Sequence, residues 1–401
     1  MVTLPAVASV LPTPGQARAE REPPGDRDGA TGLRVRGAAI VYRLYDVGYE
    51  IHLDRALDLL ATSAPERVRP VRGEGQALQI PNPPITLLLG QESVMVSGQP
   101  HDVDVSARIF DFGVVSLRVR VAADPDCPWP QYVAFGQAIE SHPEVETIVS
   151  HHLRLLTERI KSAIERPAIA DMREDYAVFR VTRIVDAQGV PVGAEALEAL
   201  DVVPLLLNET RPLSAEARRE LLPHRFSYYA DDLAILTWEN ALVVEPALAE
   251  SVDTDVQYIL EFANAQLLEL RFYDAQLDAE LPRMYDRIAA MRGSGRAFGR
   301  RRFAPLLAEL QARVADSTEL VERADNALKV TDDVYLARVY SAALELFRGK
   351  AWRSGIDRKL GIIRDTYGML NDEAQATRGE LLEIAIVALI LIEIVLSLVR
   401  H

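Results

Sequence analysis

Asp111, Cys127, His151 and His152 are of the types that do chemistry, but none stands in a pattern that completes a site. Asp111 sits in Phe110-Asp-Phe-Gly113, where a kinase aspartate would hold its metal. The Gly-rich loop, strand lysine and catalytic loop that phosphoryl transfer also requires do not occur in the sequence. A hairpin turn in which Gly113 takes a positive φ is the better reading. His151 and His152 are neighbours on a helical pattern, so they point about 100° apart and cannot grip one metal together. Cys127 lies between Asp126 and Pro128 with no base beside it, the seven histidines are scattered, and no His-Glu-x-x-His occurs. These residues predict no catalytic residue, no cofactor and no metal. The single cysteine excludes a disulfide framework and reads as a reduced thiol.

One cluster could bind rather than react. Arg292, Arg296, Arg300, Arg301 and Arg302 place five cations within eleven residues of a chain whose net charge is -15. Such a loop suits the phosphates of lipid or RNA, at about 1 kcal/mol for each cation near an anionic surface. As a solvated connector between helices it binds nothing, and that plainer reading is preferred. The glycines Gly293, Gly295 and Gly299 follow a helix and have the wrong spacing for a dinucleotide loop. The overall negative charge excludes wide contact with nucleic acid or anionic lipid.

The elements that must position these residues divide the chain into four parts. Residues 1–32 are rich in Pro, Gly and mixed charge and read as a disordered tail without a secretory or mitochondrial signal. Residues 33–248 alternate in the manner of strands at 35–42, 85–89, 102–110, 114–121, 176–184, 225–229, 233–238 and 241–244. Helical patterns fall at 52–61, 130–164, 194–200 and 214–222. The order strand, helix, paired strands occurs twice, so the predicted fold is an α+β domain with an antiparallel sheet, built as a pseudo-repeat.

Residues 249–376 are predicted as a long helical hairpin or coiled-coil region. One helix covers 254–291, with Pro282 inside it, a second runs from Pro305 to about Val330, and a third covers 334–347 behind a capping residue. From Ile356 the apolar positions Leu360, Ile363, Tyr367, Leu370, Ala374, Thr377, Leu381, Ile384, Ala388, Leu391, Val395 and Leu398 alternate steps of four and three. That is a heptad seam, and it predicts one continuous rod on the order of 70 Å long.

Residues 377–401 form the last part. Leu381 to Val399 is apolar except for Glu383, Glu393 and Ser397. Its length is close to the roughly 20 residues that cross a membrane, so a C-terminal transmembrane helix is predicted. Leu381, Glu383, Ile384, Leu391, Glu393 and Val395 would then make the span and the contacts between subunits. Glu383 and Glu393 lie off the seam, where they can face neighbouring copies. The alternative is a very apolar helix buried in the core of a soluble oligomer.

Several pieces together resemble the RMD/YagE-like family, required for meiotic nuclear division and long catalogued as a domain of unknown function. They are Ile109-Phe-Asp-Phe-Gly-Val-Val115, Leu267-Leu-Glu-Leu-Arg-Phe-Tyr-Asp274, Tyr335-Leu-Ala-Arg-Val-Tyr340, Ile356-Asp-Arg-Lys-Leu-Gly-Ile-Ile363 and the ending from Arg378 to Ile394. The resemblance implies a non-enzymatic, membrane-associated, oligomeric protein. With no presequence, it points to a bacterial-type member with its soluble domain on the cytoplasmic side of the inner membrane. The expected function is therefore a membrane-anchored homo-oligomeric scaffold or tether with a possible protein partner. The alternative is an RNA- or ribosome-associated module using the Arg292–Arg302 loop, and the third reading is an unrecognised hydrolase.

Overall fold

The computed structural model describes residues 32–61, 66–67, 78–79, 82–192, 200–246, 255–292, 315, 329–330 and 333–399. The strands are β1 (Arg34–Asp46), β2 (Glu50–Ile51), β3 (Glu66–Arg67), β4 (Leu78–Gln79), β5 (Ile85–Val96), β6 (Gln99–Ile109), β7 (Val114–Ala122), β8 (Cys127–Pro128), β9 (Ile164–Glu165), β10 (Arg173–Val185), β11 (His224–Phe226), β12 (Leu233–Leu236), β13 (Asn240–Val244) and β14 (Lys329–Val330). The helices are α1 (Leu53–Leu60), α2 (Trp129–Glu140), α3 (Pro143–Ile160), α4 (Val203–Leu207), α5 (Ala215–Leu221), α6 (Asp255–Arg292), α7 (Val334–Leu346) and α8 (Gly349–Val399).

Among the described residues ten strands make one sheet in the order β11-β12-β13-β10-β1-β7-β6-β5-β3, with β8 also paired to β1. Its centre is β1, buried on both faces from Ala38 to Asp46 because Val, Ile, Leu and Tyr stand on both sides of the strand. Both predicted halves enter this one sheet, but they are not equivalent. β7 joins β1 antiparallel, whereas its counterpart β13 joins β10 parallel.

The sheet is covered on both faces. Odd-numbered residues of β1 such as Val41 pack in one core with α1, α2 and α3, while Ile40, Tyr42 and Leu44 pack in another with α6 and α7. The predicted helix over 130–164 is two helices, since Pro143 starts a new one capped by the His142 ring, which accepts from Glu144 N. Residues 329–330, expected at the end of a helix, instead pair as a strand with β4. The rest of that expected helix and the one expected over 194–200 lie almost wholly outside the described residues.

The Phe-Asp-Phe-Gly segment is the turn between β6 and β7. Phe110 and Phe112 stack at 5.2 Å and meet the edge of Phe262 on α6. The Asp111 carboxylate accepts from Asn82 Nδ2 at 2.9 Å. Gly113 has φ +95°, and a Cβ there would stand 2.0 Å from the Gly48 carbonyl oxygen. A Gly113→Ala variant is therefore expected to lose about 2–4 kcal/mol of stability in urea unfolding, from left-handed strain and backbone overlap together. A loss below 1 kcal/mol, roughly the cost of the strain alone, would contradict the close approach.

The predicted C-terminal membrane anchor is corrected. Among the described residues no helix is long and apolar enough to cross a membrane. Leu381, Glu383, Ile384, Leu391, Glu393 and Val395 therefore do not make a span, and the placement at a bacterial inner membrane goes with it. The physical reason lies in the glutamates: from Ile384 to Ile392 the uninterrupted apolar stretch rises only about 14 Å, half of what the hydrocarbon layer requires. The predicted rod is present, since α8 is one unbroken helix of 51 residues.

Candidate functional site

The feature that sets this chain apart is the way α8 is mounted and then left bare. Its mount is α6, which crosses the strands. Glu261 pairs with Arg108 on β6, and Arg271 pairs with Glu174 on β10. The ten residues between these contacts rise about 15 Å, which matches the about 14 Å of three strand spacings from β6 to β10.

The first ion pair is shielded from water, whereas the Arg271 side of the second is partly exposed. The Arg108 and Glu261 side chains are almost fully buried, and the Arg108 guanidinium also lies 4.6 Å from the Tyr258 ring centre. Burial pushes Glu174 above its ordinary carboxyl range, against the pull of Arg271. Between the two pairs, Glu269 is buried and interacts with Asp46 at the end of β1. Burial raises Asp46 to about 7, and it raises Glu269 well above the normal range, with the Asp46 charge adding to the effect. Near neutral pH the Asp46 carboxyl is therefore only partly ionised, and Glu269 is biased toward its acid form. The Asp46 carboxyl also accepts from Gly48 N at 3.1 Å.

Beyond the sheet, α6 and α8 lie side by side. Ile356, Leu360, Ile363 and Leu370 of the predicted seam are buried against Leu270, Tyr273, Leu277, Met284 and Ile288. Lys359 Nζ bridges Asp274 at 2.7 Å and Asp278 at 2.6 Å. Burial lowers the lysine's affinity for its proton, but the two aspartates outweigh it and the pKa rises overall. Gly355 also lies against Asp274, so the two helices run in the same direction. At 1.5 Å per residue the end of α6 at Arg292 falls level with about residue 375 of α8.

Past that level α8 changes character. Ile386, Val387, Leu389, Ile390, Leu391, Ile392, Ile394, Val395 and Leu396 are each between 50% and 65% exposed. These positions surround the helix rather than forming a stripe. Glu383 and Glu393 are exposed among them, whereas the side chains of Leu381 and Ile384 lie outside the described residues. Of the arginine cluster, Arg292 ends α6 with its side chain undescribed, and Arg296, Arg300, Arg301 and Arg302 lie outside the described residues.

The remaining candidates occupy ordinary positions. His152 is buried with Nε2 3.3 Å from Glu92, while His151 is exposed. Among the described residues no group of three His, Cys, Asp or Glu side chains is placed to hold a metal. Cys127 is buried on β8, and burial raises its thiol pKa. Sequence reasoning missed the polar line beneath α6 because it followed that helix's apolar residues. Gln257, Glu261, Asn264 and Glu269, polar residues within the stretch of α6 from Val256 to Leu270 that is buried all round, were the available signal.

Residues 36–250 match the family described as "Uncharacterized protein MJ0711, N-terminal domain". The chain belongs to this family. The MJ0711 N-terminal domain family thus covers the sheet from β1 through β13 together with α1 to α5, and the match ends before α6 begins. "Uncharacterized protein MJ0711" of Methanocaldococcus jannaschii is 29% identical over 198 residues, covering 49% of this chain and 58% of that relative. The match therefore spans less than two thirds of the relative's length. No solved structure matches the chain.

Proposed function

We propose that this protein is a homo-oligomeric scaffold whose copies join through the end of α8. The carrying observation is the set of nine half-exposed apolar residues from Ile386 to Leu396. A helix apolar all round belongs in an interior. The exposed surface is on the order of 900 Å², more than the roughly 300–600 Å² of the largest apolar patch on an ordinary monomer and close to the ~800 Å² per partner of a stable interface.

Continuity of the seam supports a second copy as the occupant. Leu391 and Val395 continue the seam whose earlier members, Ile356 to Leu370, already pack helix against helix within the chain. The same spacing in a second copy supplies knobs for the same holes. Likeness to the RMD/YagE-like family is part of this proposal, supported by the pattern from Arg378 to Ile394, and the oligomeric nature of that family agrees with it.

Replacing Leu391 and Val395 with Glu places like charges on the joining surface. The full-length chain is expected to show an oligomer mass by light scattering, and the double variant a monomer mass with unchanged circular dichroism. A monomeric wild type, an unchanged variant, or a wild type that floats with lipid vesicles would overturn the proposal.

A further inference from the structure

We infer that an extended acidic peptide docks along β11 and α7, adding a strand to the edge of the sheet, an inference independent of self-association. β11 ends the sheet order, and no described strand pairs with its outer edge. Such an edge offers backbone N–H and C=O groups to a second chain. β11 has only three residues, so side chains beside it must supply the rest of the grip.

α7 and the loops around β11 supply them. Tyr335 meets the Tyr228 ring at 5.6 Å, Arg338 lies 5.8 Å over Phe226, and Phe347, just past the end of α7, meets Trp238 at 6.0 Å. Rings thus follow the helix along the whole strip. Tyr228, Tyr229 and Trp238 are 62%, 54% and 43% exposed, and bare rings with a polar tip are the side chains that anchor partners.

The charges select the occupant. Arg338 stacks over Phe226, and Arg348 lies 6.0 Å from the Trp238 ring centre. Both arginine side chains are exposed, and neither makes an ion pair or hydrogen bond with a described residue, although Glu345 stands between them in the chain. Stacking orients each guanidinium and leaves its N–H fork open, which is the geometry that takes a carboxylate.

Spacing sets the pattern. Arg338 and Arg348 are ten residues apart, which is about 15 Å along the helix axis. In an extended strand residues i and i+4 share a face and lie about 13–14 Å apart. The fitting occupant therefore carries carboxylates four residues apart, with an apolar residue midway against the rings. Single-stranded RNA also stacks on rings and arginines, but the net charge of -15 works against it.

Fluorescence anisotropy of labelled Thr-Glu-Thr-Val-Thr-Glu-Thr, titrated with the full chain, tests the inference. Binding is expected, and Arg338→Gln and Arg348→Gln should each weaken it by at least about tenfold. Replacing the valine and one neighbouring threonine with proline removes an N–H from each edge of the peptide, so binding should be lost. A peptide with lysine in place of both glutamates should not bind wild type and should bind the Arg338→Glu, Arg348→Glu double variant. Arg154→Gln on the exposed face of α3 should change nothing. The inference is overturned if the glutamate peptide does not bind, if the proline or lysine peptide binds wild type equally well, or if the exchanged charges restore nothing. Tighter binding of hexauridylate, or an equal loss in Arg154→Gln, would also overturn it.

Discussion

Glu261→Ala is expected to destabilise the protein by about 3–5 kcal/mol in urea unfolding, because it leaves the Arg108 charge buried without its carboxylate. Both side chains are almost fully buried, so water cannot replace the lost partner. Arg108 also meets Thr86 Oγ1 at 3.1 Å and the Tyr258 ring, and neither of these groups carries a full negative charge. Replacing both partners, as Arg108→Met with Glu261→Leu, removes the desolvation cost along with the attraction. The double variant should therefore recover most of the loss. If the single variant lost less than about 1 kcal/mol, the value of an exposed pair, the buried lock between α6 and the sheet would be wrong.

The second large effect is on pH dependence. Folding raises the Asp46 carboxyl to about 7 from an ordinary value of 3.8, and Glu269 moves in the same direction. An acid whose pKa is raised on folding favours the fold while it is protonated. Its contribution is complete below about pH 4 and is lost as pH climbs through about 7, at up to about 1.4 kcal/mol for each pH unit crossed. Wild-type stability should thus fall by a few kcal/mol between about pH 5 and pH 8. Asp46→Asn keeps an acceptor for Gly48 N and carries no charge, so it should flatten that fall and exceed wild type at pH 8. Equal destabilisation of the variant at both pH values would contradict the picture.

These two effects come from contacts that local patterning does not show. Asp46 and Glu269 are far apart in sequence, as are Arg108 and Glu261, and each pair exists only because α6 crosses four strands. What was legible follows from short periods. Gly113 announced its turn, and the steps of four and three from Ile356 announced an unbroken α8 whose seam is buried at Ile356, Leu360, Ile363 and Leu370.

The apolar end of α8 shows where periodicity stops being sufficient. Composition alone made Leu381 to Val399 resemble a bilayer span, because length and apolar content are shared by membrane helices and by helices destined for an oligomer's interior. Glu383 and Glu393 interrupt the run too often for hydrocarbon, and in the proposed oligomer they would lie off the seam.

Disulfide mapping of the full-length chain tests self-association most directly. Cys127 is buried, so a cysteine introduced singly at each position from Ile386 to Ser397 would be the accessible thiol. Joining through the end of α8 predicts covalent dimers under mild oxidation, strongest at Leu391 and Val395 and recurring with the three-and-four spacing of the seam. Cross-linking absent at every position, or equal at all of them, would contradict it.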